Sequence, residues 1–223
     1  IGWLLLVPKH APAGEGKRYV QAKDGQRPAP TVAADNVCAW PNLTVLEDGT
    51  IVATIFNQPS HGSVAGDVEC WATGDQGATW QKVGTPAPHE PDTNRMNVAA
   101  GRATSGDLIV IASGWSNQYP AGKSGAPFRA NTLHAWLSRS SDGGHTWSID
   151  KEGLPDRAPD GNRWIPFGDI VEVGDGLLRV PLYSWPASGA RNERAWCAQS
   201  RDDGKTWGEF LPLDKDNLRN ETV

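Results

Sequence analysis

Six short stretches combine aromatic rings with amide, guanidinium or imidazole groups. They are Trp40-Pro41-Asn42, Asn57-Gln58-Pro59-Ser60-His61-Gly62, Asn94-Arg95-Met96-Asn97, Trp115-Ser116-Asn117-Gln118-Tyr119, Arg163-Trp164-Ile165-Pro166 and Tyr183-Ser184-Trp185. Aromatic rings stack on the apolar faces of a sugar, and amides and charges satisfy its hydroxyls. This mix therefore suits a carbohydrate. His61 adds a group able to move protons near neutral pH. Asp67 follows in the same segment, just ahead of the apolar run Val68-Glu69-Cys70-Trp71. Each candidate has a plainer alternative. His61 could bond backbone, Asp67 could cap a turn, Arg95 and Arg163 could sit in ion pairs, and Trp40, Trp115, Trp164 and Trp185 could pack the core.

The elements that must carry these stretches follow a repeat. Thr73–Trp80, Ser140–Trp147 and Ser200–Trp207 share the pattern Ser/Thr-x-Asp-x-Gly-x-Thr-Trp. Asp bonds amides two residues on, Gly reverses the chain at positive φ, and Thr-Trp opens an outgoing strand. Leu133–Leu137 and Glu193–Cys197 read as incoming strands of the second and third copies. Ahead of each copy lies a strand–turn–strand signal: Leu43–Ala53, Val98–Ala112 and Ile170–Val180. Each unit is thus a four-stranded meander of roughly 60 residues, the size of a β-propeller blade. The units span 38–90, 94–155 and 162–215, after an N-terminal segment 1–37. Cys70 and Cys197 occupy equivalent outer strands and should not be bridged.

Composition narrows the function classes. The 223 residues hold 21 Lys+Arg against 26 Asp+Glu, a net charge of −5, without the basic footprint of a nucleic-acid binder. No apolar run reaches the length of a membrane-spanning helix. Ile1–Val7 lacks a basic flank and reads as a strand rather than an intact signal peptide. The 25 Gly and 17 Pro point to many turns, and 11 Trp outnumber 3 Tyr and 4 Phe. The three Cys include no CxxC pair, and there is no metal cluster, phosphate loop or dinucleotide fingerprint. No cofactor is expected.

The repeated turn resembles the Asp-box, or bacterial neuraminidase repeat, of sialidase-like β-propellers. The resemblance covers about residues 38–223 and implies an all-β fold, six-bladed when intact, of which this chain looks like the N-terminal half. Residues 216–223 would open a fourth blade, and the other half or a second copy would close the propeller. Functional groups would come from the starts of the inner strands and the loops between second and third strands. That assigns substrate contacts to Trp40, Asn42, Asn57, Gln58, Arg95, Asn97, Trp115, Asn117, Arg163 and Tyr183. The family's Asp acid/base falls near His61 and Asp67, and Glu221 in Asn220-Glu221-Thr222 matches the glutamate that activates a nucleophilic tyrosine, itself in a later blade. The family's first arginine opens an Arg-Ile-Pro motif. Here Ala39-Trp40-Pro41-Asn42 keeps only the proline, with Arg95 and Arg163 as substitutes. The resemblance implies a sialidase-like glycoside hydrolase acting on terminal sugars, secreted or periplasmic. The alternatives on the same scaffold are a polysaccharide lyase or non-sialic glycosidase using His61, and a non-catalytic glycan-binding propeller.

Overall fold

The computed structural model describes residues 31–38, 40–116, 131–185 and 193–213, and every regular element among them is a β-strand. Ile1–Val7, Asn117 and Glu221 lie outside the described residues. The first sheet is an antiparallel meander of β1 (Asn42–Val45), β2 (Ile51–Phe56), β3 (Val68–Thr73) and β4 (Gln81–Ala87). The β1–β2 turn is set locally. Asp48 Oδ1 accepts the Thr50 amide at 2.9 Å and Gly49 supplies φ 89°.

A second meander contains β5 (Asn97–Arg102), β6 (Leu108–Ser113), β9 (Trp136–Ser140) and β10 (Ser148–Asp150). Between β6 and β9 a short ribbon pairs β7 (Trp115–Ser116) with β8 (Asn131–Thr132). The third meander has β13 (Leu178–Trp185), β14 (Arg194–Ser200) and β15 (Gly208–Pro212). Its inner strand is broken into β11 (Arg163–Pro166) and β12 (Gly168–Glu172), which both pair with β13. The break falls at Phe167, where Gly168 takes φ 107°.

The expected incoming strand Leu133–Leu137 is corrected. Its first residues are taken up elsewhere: Thr132 pairs with Trp115 and the Leu133 amide bonds the Gly114 carbonyl, so β9 starts at Trp136. The second and third meanders are also not separate sheets. β5 and β12 pair in parallel, Ala99 against Gly168 and Gly101 against Ile170, joining them into one nine-stranded sheet. Gly101 permits this approach, since a Cβ there would collide with the Ile170 carbonyl.

The second meander is buried on both faces, and the period-2 alternation of its strands decides which residue serves which neighbour. Ala99, Ile109 and Ile111 join Leu178, Val180, Trp164 and Trp207 toward the third meander. Val98, Ala100, Val110 and Ala112 join Val68 and Ala87 toward the first. That double duty explains why β6, Leu-Ile-Val-Ile-Ala-Ser, is buried along its whole length.

The three repeated turns have one geometry. Thr73, Ser140 and Ser200 donate a side-chain hydroxyl to Asp75, Asp142 and Asp202 at 2.7–2.8 Å and accept the Gly77, Gly144 and Gly204 amides at 2.8–3.0 Å. The other carboxylate oxygen takes the hydroxyls of Thr79, Thr146 and Thr206 at 2.6–2.7 Å. Bonds from Thr79 hold the Asp75 carboxyl at about 2. Partial burial opposes the effect at Asp202, but the Thr206 and Ser200 bonds outweigh it and leave about 2 there too. These aspartates are therefore structural. Cys38, Cys70 and Cys197 are free thiols, as the spacing of the repeats requires for Cys70 and Cys197.

Candidate functional site

The loops opposite the repeated turns are unlike one another, and they converge. Phe56, Met96, Trp115 and Ile165, one residue from each of four segments, form a buried floor against which Cys38, Trp40, Tyr183 and Trp185 pack. Above it opens a cavity of about 140 Å³ lined by Trp40, His61, Asn97, Trp115, Tyr183 and Trp185, with Met96 and Phe167 completing the wall. The rings meet edge to face. Trp40 and His61 lie 5.1 Å apart between centroids at 79°, and Trp115 and Trp185 lie 5.6 Å apart at 83°.

Asn94 holds these parts in register, and its role was not visible in the sequence. It is fully buried, and its Nδ2 donates to the Gly62 and Ser63 carbonyls at 3.2 and 3.1 Å. Its Oδ1 accepts the Trp115 amide at 3.0 Å. One side chain thus ties the His61 loop to the start of β7. Gly114 must lack a side chain because a Cβ would strike the Asn94 carbonyl. The loop is closed at its base by Asn57 Oδ1, which accepts the Asp67 amide at 2.9 Å.

Of the residues expected to contact substrate, Trp40, Asn97, Trp115 and Tyr183 line this cavity, together with His61. The others among the described residues are engaged elsewhere. Asn42 Nδ2 donates to the Gly168 carbonyl at 2.7 Å and to Asp169 at 3.2 Å, stapling β1 to β12. Asn57 also donates to Glu69 of β3 at 2.9 Å, and Gln58 bonds the Ala65 carbonyl of its own loop at 3.3 Å. Asp67 receives the His89 amide and meets the His89 ring Nδ1, each at 2.7 Å. It anchors the loop and does not line the cavity.

Arg95 is a clearer correction. The side chain is 2 % exposed, its guanidinium lies 3.6 Å over the Trp136 ring, and Nη1 donates to the His134 carbonyl at 2.7 Å. Burial pulls its pKa down to about 10 despite the pull of Glu90 in the other direction. A guanidinium so enclosed cannot grip a solute. Arg163 is half-buried outside the aromatic cavity, bonding the Thr132 carbonyl at 2.8 Å and Asp156 at 3.2 Å. Phe167 and Met96 were not singled out as contacts, and Trp185 was weighed only as part of the stretch Tyr183-Ser184-Trp185. Phe167 carries no sequence signal beyond its place before Gly168, which breaks the inner strand.

No protein-family model and no curated protein matches the chain. Solved structures do. A crystal structure of a protein of unknown function from Dyadobacter fermentans matches with a TM-score of 0.64 at 19% identity, covering 79% of this chain and 55% of that one. The Hadza microbial sialidase Hz136 matches with 0.57 at 19% identity, over 78% of this chain and 37% of that one. Trypanosoma rangeli sialidase matches with 0.53 at 17% identity, over 77% and 30%. The scaffold is sialidase-like. The chain spans little more than half the length of the first of these neighbours and about a third of the two sialidases.

Proposed function

We propose that this protein binds a terminal sugar of a glycan in the cavity walled by Trp40, Trp115, Tyr183 and Trp185, on a sialidase-like propeller. The observation that carries the reading is the wall itself: aromatic rings from three separate segments, with the amide of Asn97 among them, around a space of about 140 Å³. That is below the usual range for drug-sized ligands and fits one small unit. Stacking on the rings supplies affinity, and Asn97 and His61 supply hydroxyl partners. Among the described residues the lining offers ring faces, an amide and an imidazole, groups that suit the faces and hydroxyls of a sugar ring.

The presence of both His61 and Tyr183 in this lining favours a second reading, cleavage of the glycosidic bond at the same place. In it His61 is the proton donor and Glu221 the group that activates the nucleophile, the role the Asp-box resemblance assigns it. Binding of a panel of neutral and acidic glycans by calorimetry, together with reducing-end release from the same panel, tests both. Binding lost in Trp185→Ala supports the cavity. Turnover lost in His61→Ala with binding retained supports catalysis. Binding unaffected by Trp185→Ala overturns the proposal, and binding without turnover on every glycan leaves a binding propeller.

A further inference from the structure

A second cleft, of about 320 Å³, lies behind the Trp185 ring. Its lining differs in kind from the first: Arg157, Arg163, Ser116, Asn131 and Thr132, with Trp185 shared between the two. The strand registers explain the adjacency. Arg163 is the partner of Trp185 across β11–β13, and Thr132 is the partner of Trp115 across β7–β8. Trp185, packed edge to face on Trp115, therefore borders both spaces, the aromatic cavity and the cleft of the two arginines.

The two guanidinium groups are held in place from below. Asp156 Oδ1 lies 3.2 Å from Arg163 Nη2 and its Oδ2 lies 3.4 Å from Arg157 Nε. Backbone carbonyls fix the rest: Thr132 takes Arg163 Nη1 at 2.8 Å and Gly161 takes Arg157 Nη1 at 2.9 Å. A guanidinium has five N–H donors, so each arginine keeps donors for a ligand. Two positive charges face one carboxylate that is not itself part of the cleft lining, which leaves the cleft positive in a chain of net charge −5. Planar, pre-positioned donors of this kind match a carboxylate or sulfate.

We propose that this cleft is a subsite for an anionic substituent, carboxylate or sulfate, on the sugar unit next to the one stacked in the aromatic cavity. The inference rests on the sugar-binding reading above and extends it. The protein would select glycans that carry an acidic unit next to the one held in the aromatic cavity, and Trp185 would contact both.

The test uses saccharides of matched skeleton: the neutral disaccharide cellobiose, the same disaccharide with the reducing-end glucose oxidised to glucuronic acid, and the same disaccharide sulfated on that unit. Inorganic sulfate serves as a probe of the cleft alone. Affinities are read by calorimetry and by tryptophan fluorescence for the wild type, Arg157→Gln and Trp40→Ala. Arg157 is largely exposed, so its replacement leaves the fold intact. We expect the acidic disaccharides to bind about tenfold tighter than cellobiose at low salt. Arg157→Gln should remove most of that preference and leave cellobiose unchanged. A carboxylate arm that alone gains affinity identifies a uronic acid, and a sulfate arm that alone gains identifies a sulfated unit. Equal binding of neutral and acidic disaccharides, or an equal loss of both in Arg157→Gln, overturns the subsite. If no saccharide binds but sulfate binds in an Arg157-dependent way, the anion cleft stands and the aromatic reading falls. If neither binds, both fall.

Discussion

The two ends of the meanders obey different rules. At one end, three turns repeat the same hydroxyl–carboxylate–amide network to within a few tenths of an ångström, built from residues at most six positions apart. At the other end no two loops are alike, and the contacts that matter are long-range. Asn94 reaches back to Gly62, and Asn42 reaches forward to Gly168. The repeated end stabilises each meander by itself. The variable end acquires its long-range contacts where several meanders stand side by side, and there aromatic and charged groups line neighbouring cavities. A repeat thus identifies a scaffold, while the departures from the repeat supply the residues of the proposed site.

That contrast can be broken most severely at Arg95. Arg95→Ala removes a cation–π contact and a bond to the His134 carbonyl, and should cost about 2–3 kcal/mol in urea unfolding. Saccharide selectivity should not change; a change in selectivity would return Arg95 to the site. Next in size is Trp40→Ala. It should weaken saccharide binding roughly tenfold, or about 1.4 kcal/mol, with little change in the unfolding midpoint, because the ring belongs to the cavity wall. A large stability loss with unchanged affinity would make Trp40 a core residue.

Ser140→Ala should do the reverse. It strands the Gly144 amide and one bond to Asp142, costing about 1 kcal/mol of stability with no effect on binding. The smallest effect is on pH. Asp75 and Asp202 hold their carboxyls at about 2 in the fold, below the ordinary value of about 3.9. Their contribution is therefore complete above roughly pH 4 and is lost as pH falls toward about 2, where the unfolded chain takes up protons first. Urea midpoints between pH 5 and pH 2 should fall, and Asp75→Asn with Asp202→Asn should flatten the slope. An unchanged slope would remove these turns from the acid transition.

Parts of the cavity lining were legible before any geometry. Trp40, His61, Asn97, Trp115 and Tyr183 were singled out by type and by position relative to the repeat, and they share one cavity. Asn42, Asn57, Gln58, Asp67 and Arg95 were singled out by the same signs, yet each is spent on backbone or on a neighbouring side chain. Residue type cannot separate these groups, since an amide that bonds a sugar and one that bonds a carbonyl look the same in a sequence. The Arg157–Arg163 cleft was half visible, because Arg157 lies in a stretch without a motif and is brought to Arg163 by Asp156.

The sequence by itself determined the meanders and their turns. The Ser/Thr-x-Asp-x-Gly-x-Thr-Trp pattern acts over a few residues, so its hydrogen bonds need no partner from afar. Tertiary structure alone decided the parallel join of β5 to β12, the burial of Arg95 on Trp136 and the placement of Trp185 in the walls of two cavities. Each of these depends on which strand lies beside which, and that depends on how apolar faces from distant segments pack, a choice no local pattern encodes.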